Sequence, residues 1–214
     1  AGAQITVAAG DSISLTITNK QRKATLTITK NVVNHEIGTS DANDFSFSIN
    51  GDTAIPFLAG DGEMTGQNVL LVNPGAYTIT EPVVSGYAQT LVGCSPTFTS
   101  SSTATCTITN SDIPTGQGAI TVVKNVLSDN NGDAEAGDFD LFIGATSTAS
   151  GVAQFLDPGA YSVSEAELPS GYTQIGVSCT NGETTTTDGS VTLGEQEAWV
   201  CTITNDDLPG TLHV

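Results

Sequence analysis

The chain of 214 residues is 38% hydrophobic, enough for two cores of ordinary size, yet only 13% charged, with a formal net charge of −18. A surface of that sign repels nucleic acid and anionic membrane, and no apolar run approaches the length of a membrane span, so neither nucleic-acid binding nor membrane insertion is expected. Thr, Ser, Gly and Asn stand where charged residues usually would, as in secreted β-proteins; with no signal peptide in view, Ala1 reads as a mature end or as a cut within a longer protein.

In chain order, residues 3–19 (AQITVAAGDSISLTITN) match 189–205 (GSVTLGEQEAWVCTITN) without a gap, so that Ile5, Val7, Ile13 and Asn19 fall on Val191, Leu193, Trp199 and Asn205. Residues 1–22 therefore read as the closing strands of a preceding or neighbouring domain. Either the chain is an excerpt of a tandem array, or this hairpin is a donor that completes a sheet in another subunit. A lone hairpin cannot bury its apolar face and needs a host.

A first repeat follows over 23–113, with the runs TLTITKNV, AYTITEP and CTITNSD, and a second over 114–209, with AITVVKNV, AYSVSEA and CTITNDD. Turn signals separate short β-like runs in both: NPGAY and DPGAY, and Ser-Gly-Tyr twice. No stretch has a 3.6-residue period. The pattern predicts an all-β chain of tandem, Ig-like β-sandwiches, with the N-terminal β-hairpin completing a neighbour. The short joint Ile113-Pro114-Thr115-Gly116-Gln117-Gly118 predicts a semi-rigid rod. Residues 210–214 match Gly118–Val122 and read as the first strand of a next domain or a partner contact.

Three polar residues recur at matched places: Lys30, Glu81 and Asn110, then Lys124, Glu165 and Asn205. Outside Lys20, Arg22 and Lys23, the chain's only Lys or Arg residues are these two lysines. Residues two apart on a strand share a face. Lys30 shares its face with Leu26, Ile28 and Val32, Lys124 with Ile120, Val122 and Val126, and the acids and amides likewise follow apolar residues. All six are expected to face a core, where a charged amine is unfavourable unless paired or neutralised.

Four cysteines fall two to a repeat, Cys94 with Cys106 and Cys179 with Cys201, each pair spanning the last hairpin. None has CxxC spacing, and His35 and His213 lie far off, so disulfides are favoured over zinc, which places the protein outside the reducing cytosol.

The Lys of the first strand, the Glu after Tyr-x-[Ile/Val]-x and the Asn closing an Ile-Thr-Asn strand resemble the Cna-B or SpaA-like prealbumin-fold domains of microbial surface proteins and pili. The resemblance covers both repeats and, through Asn19, the N-terminal fragment. It implies a spontaneous isopeptide bond between Lys30 and Asn110 assisted by Glu81, and another between Lys124 and Asn205 assisted by Glu165. The cysteine pairs depart from the better-known members. The chemistry stands on its own physics: an apolar core lowers a lysine's pKa and raises a glutamate's, so a free amine and a protonated acid coexist beside the amide. The alternative is a buried Lys–Glu ion pair capped by Asn.

The loop 128–135 places oxygens at Asp129, Asn131 and Asp133, resembling a calcium loop without the glycine and distant glutamate of an EF-hand; polar turn residues are the ordinary reading, and no other cofactor is expected. Asp41, Asn43 and Asp44 hold the matching loop of the first repeat. No nucleophile–histidine constellation, P-loop or dinucleotide fingerprint is present, so an enzyme acting on an external substrate is not expected. The sequence reads as an extracellular or cell-surface structural protein. It would be a filament or pilus-like subunit, partnered by itself through strand addition or by neighbouring repeats, with Asn19 a candidate intersubunit residue. The alternative is the stalk or binding module of a tandem-repeat adhesin.

Overall fold

A computed structural model describes residues 6, 8–10, 12–14, 16 and 20–210. The expected N-terminal donor hairpin therefore lies largely outside the described residues, as do Asn19 and residues 211–214.

Alternating apolar and Thr residues give β1 (Ala24–Val33) a strict buried and half-buried alternation, the signature of a strand with one face in a core. Along the first repeat follow β2 (Ser46–Ile49), β3 (Ile55–Pro56), β4 (Thr65–Val72), β5 (Gly75–Ala76), β6 (Ile79–Thr80), β7 (Tyr87–Val92), β8 (Thr97–Phe98) and β9 (Thr103–Asp112). One sheet has the order β4-β1-β9-β7, faced by β3-β2-β6 and the small β5-β8 pair. The second repeat holds β10 (Gly118–Leu127), β11 (Leu141–Ile143), β12 (Thr146–Thr148), β13 (Ala153–Leu156), β14 (Gly159–Glu165), β15 (Tyr172–Thr180), β16 (Thr185–Thr186), β17 (Ser190–Leu193) and β18 (Ala198–Asp207). Its sheets run β13-β10-β18-β15-β16 and β12-β11-β14-β17. Both repeats are thus β-sandwiches with separate cores, one around Leu26, Ile28, Phe47 and Ile108, the other around Ile120, Val122, Leu141 and Ile203.

In each sandwich the first and last strands are parallel neighbours. β1 pairs with β9 so that Lys30 sits opposite Ile108 and Val32 opposite Asn110. β10 pairs with β18 with Lys124 opposite Ile203 and Val126 opposite Asn205. Parallel neighbours need a long crossover, and here the rest of the sandwich is that crossover. Two residues off the direct register, lysine and asparagine share a face and are diagonal neighbours.

The expected rod is not what forms. Gln117 N donates to Pro114 O (3.1 Å), and this turn reverses the chain. The second sandwich lies beside the first, with β7 against the outer face of the β13-β10-β18 sheet. Small residues permit the approach: Ala88, Ile113, Ala119 and Ala198 form one buried cluster. Thr121 Oγ1 donates to Gln89 O (2.7 Å), and Leu91 N donates to Gly151 O (2.7 Å). A Cβ on Gly151 would fall 2.1 Å from Leu91 O, and its φ is +77°, so only glycine fits. Among the described residues, no helix is long and apolar enough to cross a membrane.

Candidate functional site

The structure brings each sequence-predicted trio together inside its sandwich. Lys30 and Asn110 project from β1 and β9 of one sheet, and Glu81 reaches them from the opposite sheet, just beyond β6. Lys30 Nζ donates to Glu81 Oε2 at 2.6 Å and to Asn110 Oδ1 at 2.5 Å. In the second sandwich Lys124 Nζ donates to Glu165 Oε2 at 2.5 Å and also to Asn205 Oδ1. Lys30 is fully buried, and Lys124, Asn110 and Asn205 are nearly so.

Burial decides the electrostatics. Desolvation pulls the Lys30 ammonium down to about 8 against the opposing pull of the Glu81 charge, and the same desolvation pushes the Glu81 carboxyl up. Lys124 is likewise lowered, by burial first. Both shifts in the first sandwich favour the neutral forms. Glu81 Oε1 and Glu165 Oε1 are buried with no hydrogen-bond partner. For Glu81, whose carboxyl burial pushes up, a carboxylate left that way is costly and a protonated acid less so.

Sequence reasoning missed the aromatic roof. The Phe45 ring centroid lies 3.9 Å from Lys30 Nζ, and that of Phe139 lies 4.1 Å from Lys124 Nζ. Each ring meets a tyrosine edge-on, Phe45 with Tyr87 and Phe139 with Tyr172. The signal available was the matched Asp-Phe at 44–45 and 138–139. The rings exclude water from the amine on the side the Glu does not cover.

A second matched group was also missed. Two residues past each Asn, on the same face, lies a buried aspartate, Asp112 or Asp207. Asp112 accepts backbone N–H groups from His35, Glu36, Ile37 and Gly38 at 2.7–3.0 Å. Burial alone would raise its pKa, but these donors outweigh burial and hold the carboxyl well below the usual range. Asp207 accepts from Asn130 and Gly132, with the same net direction. Tyr87 and Tyr172 hydroxyls accept N–H from Ser40 and Ala134 of the same loops. A Cβ on Gly38 or Gly132 would meet that tyrosine oxygen at 2.5 or 2.1 Å. These contacts clamp the end of the first strand to the end of the last, beside the lysine. The repeated Asn-x-Asp and Ser-Gly-Tyr were the legible signals.

Both disulfides, Cys94–Cys106 and Cys179–Cys201, are formed. Of the loop oxygens, Asp129 groups with Asp206 and Asp207, their ligand atoms within 4.8 Å of one another, rather than with Asp133. Asn131 occupies a turn at φ +69°. Both Asp207 oxygens already accept backbone N–H groups, which leaves a set short of the roughly six to eight oxygens calcium takes. In the matching loop, Asp41 and Asp44 cap a single 3-10 turn.

Two β-sandwiches, each bracing its first strand to its last through a buried amine, acid and amide, define a class of tandem, internally tied β-domain protein. The prealbumin-like fold domain family (SpaA_2) matches residues 21–117 and 115–203, and the chain belongs to that family. Among solved structures, the chain is similar to the major pilin of Streptococcus pyogenes, at 17% identity over 89% of this chain and 100% of that one, with a TM-score of 0.29. A variant of the shaft pilin SpaA from Lactobacillus rhamnosus GG is 13% identical over 90% of this chain and 100% of that one, with a TM-score of 0.27. The pilus adhesin SpaC of the same organism is 14% identical over 86% of this chain and 29% of that one, with a TM-score of 0.28. No curated protein sequence matches.

Proposed function

We propose that the chain is a structural subunit of an extracellular surface filament, whose sandwiches each form one Lys–Asn isopeptide bond as they fold. The observation that carries this reading is the trio, assembled twice on parallel first and last strands in a desolvated core.

The step balances without an oxidant or a cofactor. Lys30 Nζ, as the free amine, attacks Asn110 Cγ while protonated Glu81 donates to Asn110 Oδ1. Glu81 then relays the amine's proton to Nδ2, the Cγ–Nδ2 bond breaks as the carbonyl re-forms and Oδ1 hands its proton back to Glu81, and ammonia leaves. One amide has replaced another, and loss of ammonia makes the change irreversible. Fixed contact between amine and amide supplies the effective concentration that makes so slow a reaction practical. Lys124, Glu165 and Asn205 take the same roles in the second sandwich. The chemistry happens once per sandwich and there is no turnover.

Domain boundaries near 23–113 and 114–209 fit this reading, because each interval holds one complete trio and one disulfide. A joint through Asn19 needs a further lysine, since Lys30 and Lys124 already contact asparagines of their own sandwiches. The test is intact mass after reduction. Loss of two ammonia molecules, mapped to Lys30–Asn110 and Lys124–Asn205 peptides, is expected. An unshifted mass overturns the proposed bonds and leaves buried ion pairs.

A further inference from the structure

The joint over 113–117 is divided between the two sandwiches. On the first side, Ile113 N donates to Gly86 O (2.9 Å), and Thr115 N and Oγ1 donate to Glu36 Oε2 (3.1 and 3.3 Å). On the second, Gly116 N donates to Glu195 Oε1 (3.1 Å) and Gln117 O accepts from Gln196 N (2.7 Å). The division falls at Thr115–Gly116. Gly116, at φ +84° with open space where a Cβ would stand, supplies the backbone freedom of a pivot.

Gln196 reaches across that pivot. Its Nε2 donates to Ile113 O (2.9 Å) and Pro114 O (2.8 Å), and its backbone O accepts from Gly86 N (3.1 Å). The turn itself does not require this side chain. Gln196 stands at φ +58°, where glycine is preferred, nine residues before Asn205; nine residues before Asn110 the matching turn holds an exposed Ser101 at φ +64°. Gln196 Oε1 is buried without a partner, so opening the joint returns a stranded acceptor to water.

The sandwiches fold back on each other. β7 runs antiparallel to β9, and hence to β1. Along its contact with the second sandwich, Ala88 shares a buried cluster with Ala119, Gln89 O meets Thr121, and Leu91 meets Gly151, which itself donates to Val122 O. Both series rise together, so β7 and β10 run the same way and β10 opposes β1. β18 is parallel to β10, so the start of β1 and the end of β18 lie at one end of the pair and the joint at the other.

Tension between those two strand ends loads the parts differently. Within the first sandwich it enters at the start of β1 and leaves at the end of β9. These are parallel neighbours, so the ladder from Thr25–Thr103 to Val33–Ser111 is sheared all together. The contact between the sandwiches is instead peeled, Leu91–Gly151 first and the joint last, and the small residues Ala88, Ala119 and Ala198 bury little apolar surface to resist it.

We infer that the pair is an elbow opened by tension: the second sandwich swings away about Thr115–Gly116 before either sandwich unfolds, and Gln196 is the latch that closes it again. This goes beyond the filament reading and holds whether or not the isopeptide bonds form. First strands of 10 residues at about 3.3 Å per residue make each sandwich about 33 Å long, so full opening lengthens the chain by roughly 65 Å.

Force spectroscopy of the whole chain, held at its two ends, tests the inference, with Gln196→Gly as the variant. Glycine suits the left-handed turn and keeps the backbone bonds, so far-ultraviolet circular dichroism and intact mass should match the parent. The parent should lengthen by roughly 65 Å in one step, at a force below any sandwich unfolding, and shorten again when relaxed. Loss of the two Nε2 hydrogen bonds should shift the equilibrium about tenfold toward the open form, so the variant opens at lower force and recloses more slowly. Unfolding of a sandwich with no shorter step before it overturns the elbow. A variant that opens and recloses like the parent overturns the latch. Neither result bears on the isopeptide bonds, which intact mass of the same sample reads separately.

Discussion

Glu81→Gln keeps the shape of the side chain and its place in the core but removes the acid that must exchange protons. The first sandwich should then fold without its bond, and the second should crosslink normally. The size of the effect follows from the loop that the bond closes, 80 residues between Lys30 and Asn110. Chain-entropy arithmetic for a crosslink over a loop of that length gives about 4 kcal/mol, slightly reduced because the Cys94–Cys106 bridge already constrains part of it. At about 4–8 °C per kcal/mol for a domain of this size, the variant's first unfolding transition should fall by roughly 20 °C. Differential scanning calorimetry on oxidised protein reads the shift, and intact mass reads the chemistry on the same sample. The expected result is one ammonia lost instead of two, with one of two transitions displaced. A variant that loses both ammonia molecules shows that Glu81 takes no part. A variant that loses only one yet melts like the parent shows that the bond does not bear on stability as argued.

Three further outcomes follow from the same geometry. Chain recovered unreacted in denaturant and then refolded should crosslink at a rate that depends on pH, because the free amine of buried Lys30, pulled down to about 8, and the protonated form of Glu81, pushed up by burial, are needed together; time-resolved mass spectrometry gives the profile, and a flat one refutes the free-amine step. Pulled by its ends under oxidising conditions, the parent should show no long extension from the first sandwich. Glu81→Gln should release roughly 240 Å at ~3.5 Å per residue, because the 80-residue loop opens apart from the 12 residues held by the disulfide; force spectroscopy with equal extensions would contradict the placement of the bond. Gly151→Ala forces a Cβ into Leu91 O at a left-handed position, costing about 1–3 kcal/mol. Both sandwiches should still crosslink while the lateral contact loosens, read as faster proteolysis within 113–117 and a larger radius of gyration, and an unchanged radius would refute it.

The parts legible in the sequence were those set by strand parity. Lys30 had to face inward because Leu26, Ile28 and Val32 do, and repetition in the second unit removed coincidence as an explanation. Parity names a face but not the neighbour across it. That Lys30 and Asn110 share a sheet while Glu81 crosses from the other depends on the parallel β1–β9 pairing, a contact between residues 80 apart that no local pattern encodes. The Asp112 clamp was hidden for a different reason. Its partners are backbone N–H groups of residues 35–38, and backbone donors leave no mark on side-chain identity. Lateral packing was misread because a short joint suits a straight connection and a reversal equally well. The small outward residues Ala119 and Ala198 were the trace of it, since an outward alanine on a Thr-rich face leaves room for another strand.

Three ties converge on the last strand of each sandwich. In the first, Asn110 meets the lysine of the opening strand, Cys106 is bridged to Cys94, and Asp112 gathers the loop that follows β1. All three lie on β9, the element synthesised last. A chain emerging in order therefore cannot bring amide to amine until the intervening 80 residues have packed. The aspartate clamp, reversible and satisfied by backbone alone, fixes the parallel register in which Lys30 is diagonal to Asn110. The irreversible step then acts only on that register, because a one-residue slip would turn the asparagine to the solvent face. Bond formation in this arrangement reports a completed sandwich, so an assembly of such units is locked from subunits that have already folded correctly.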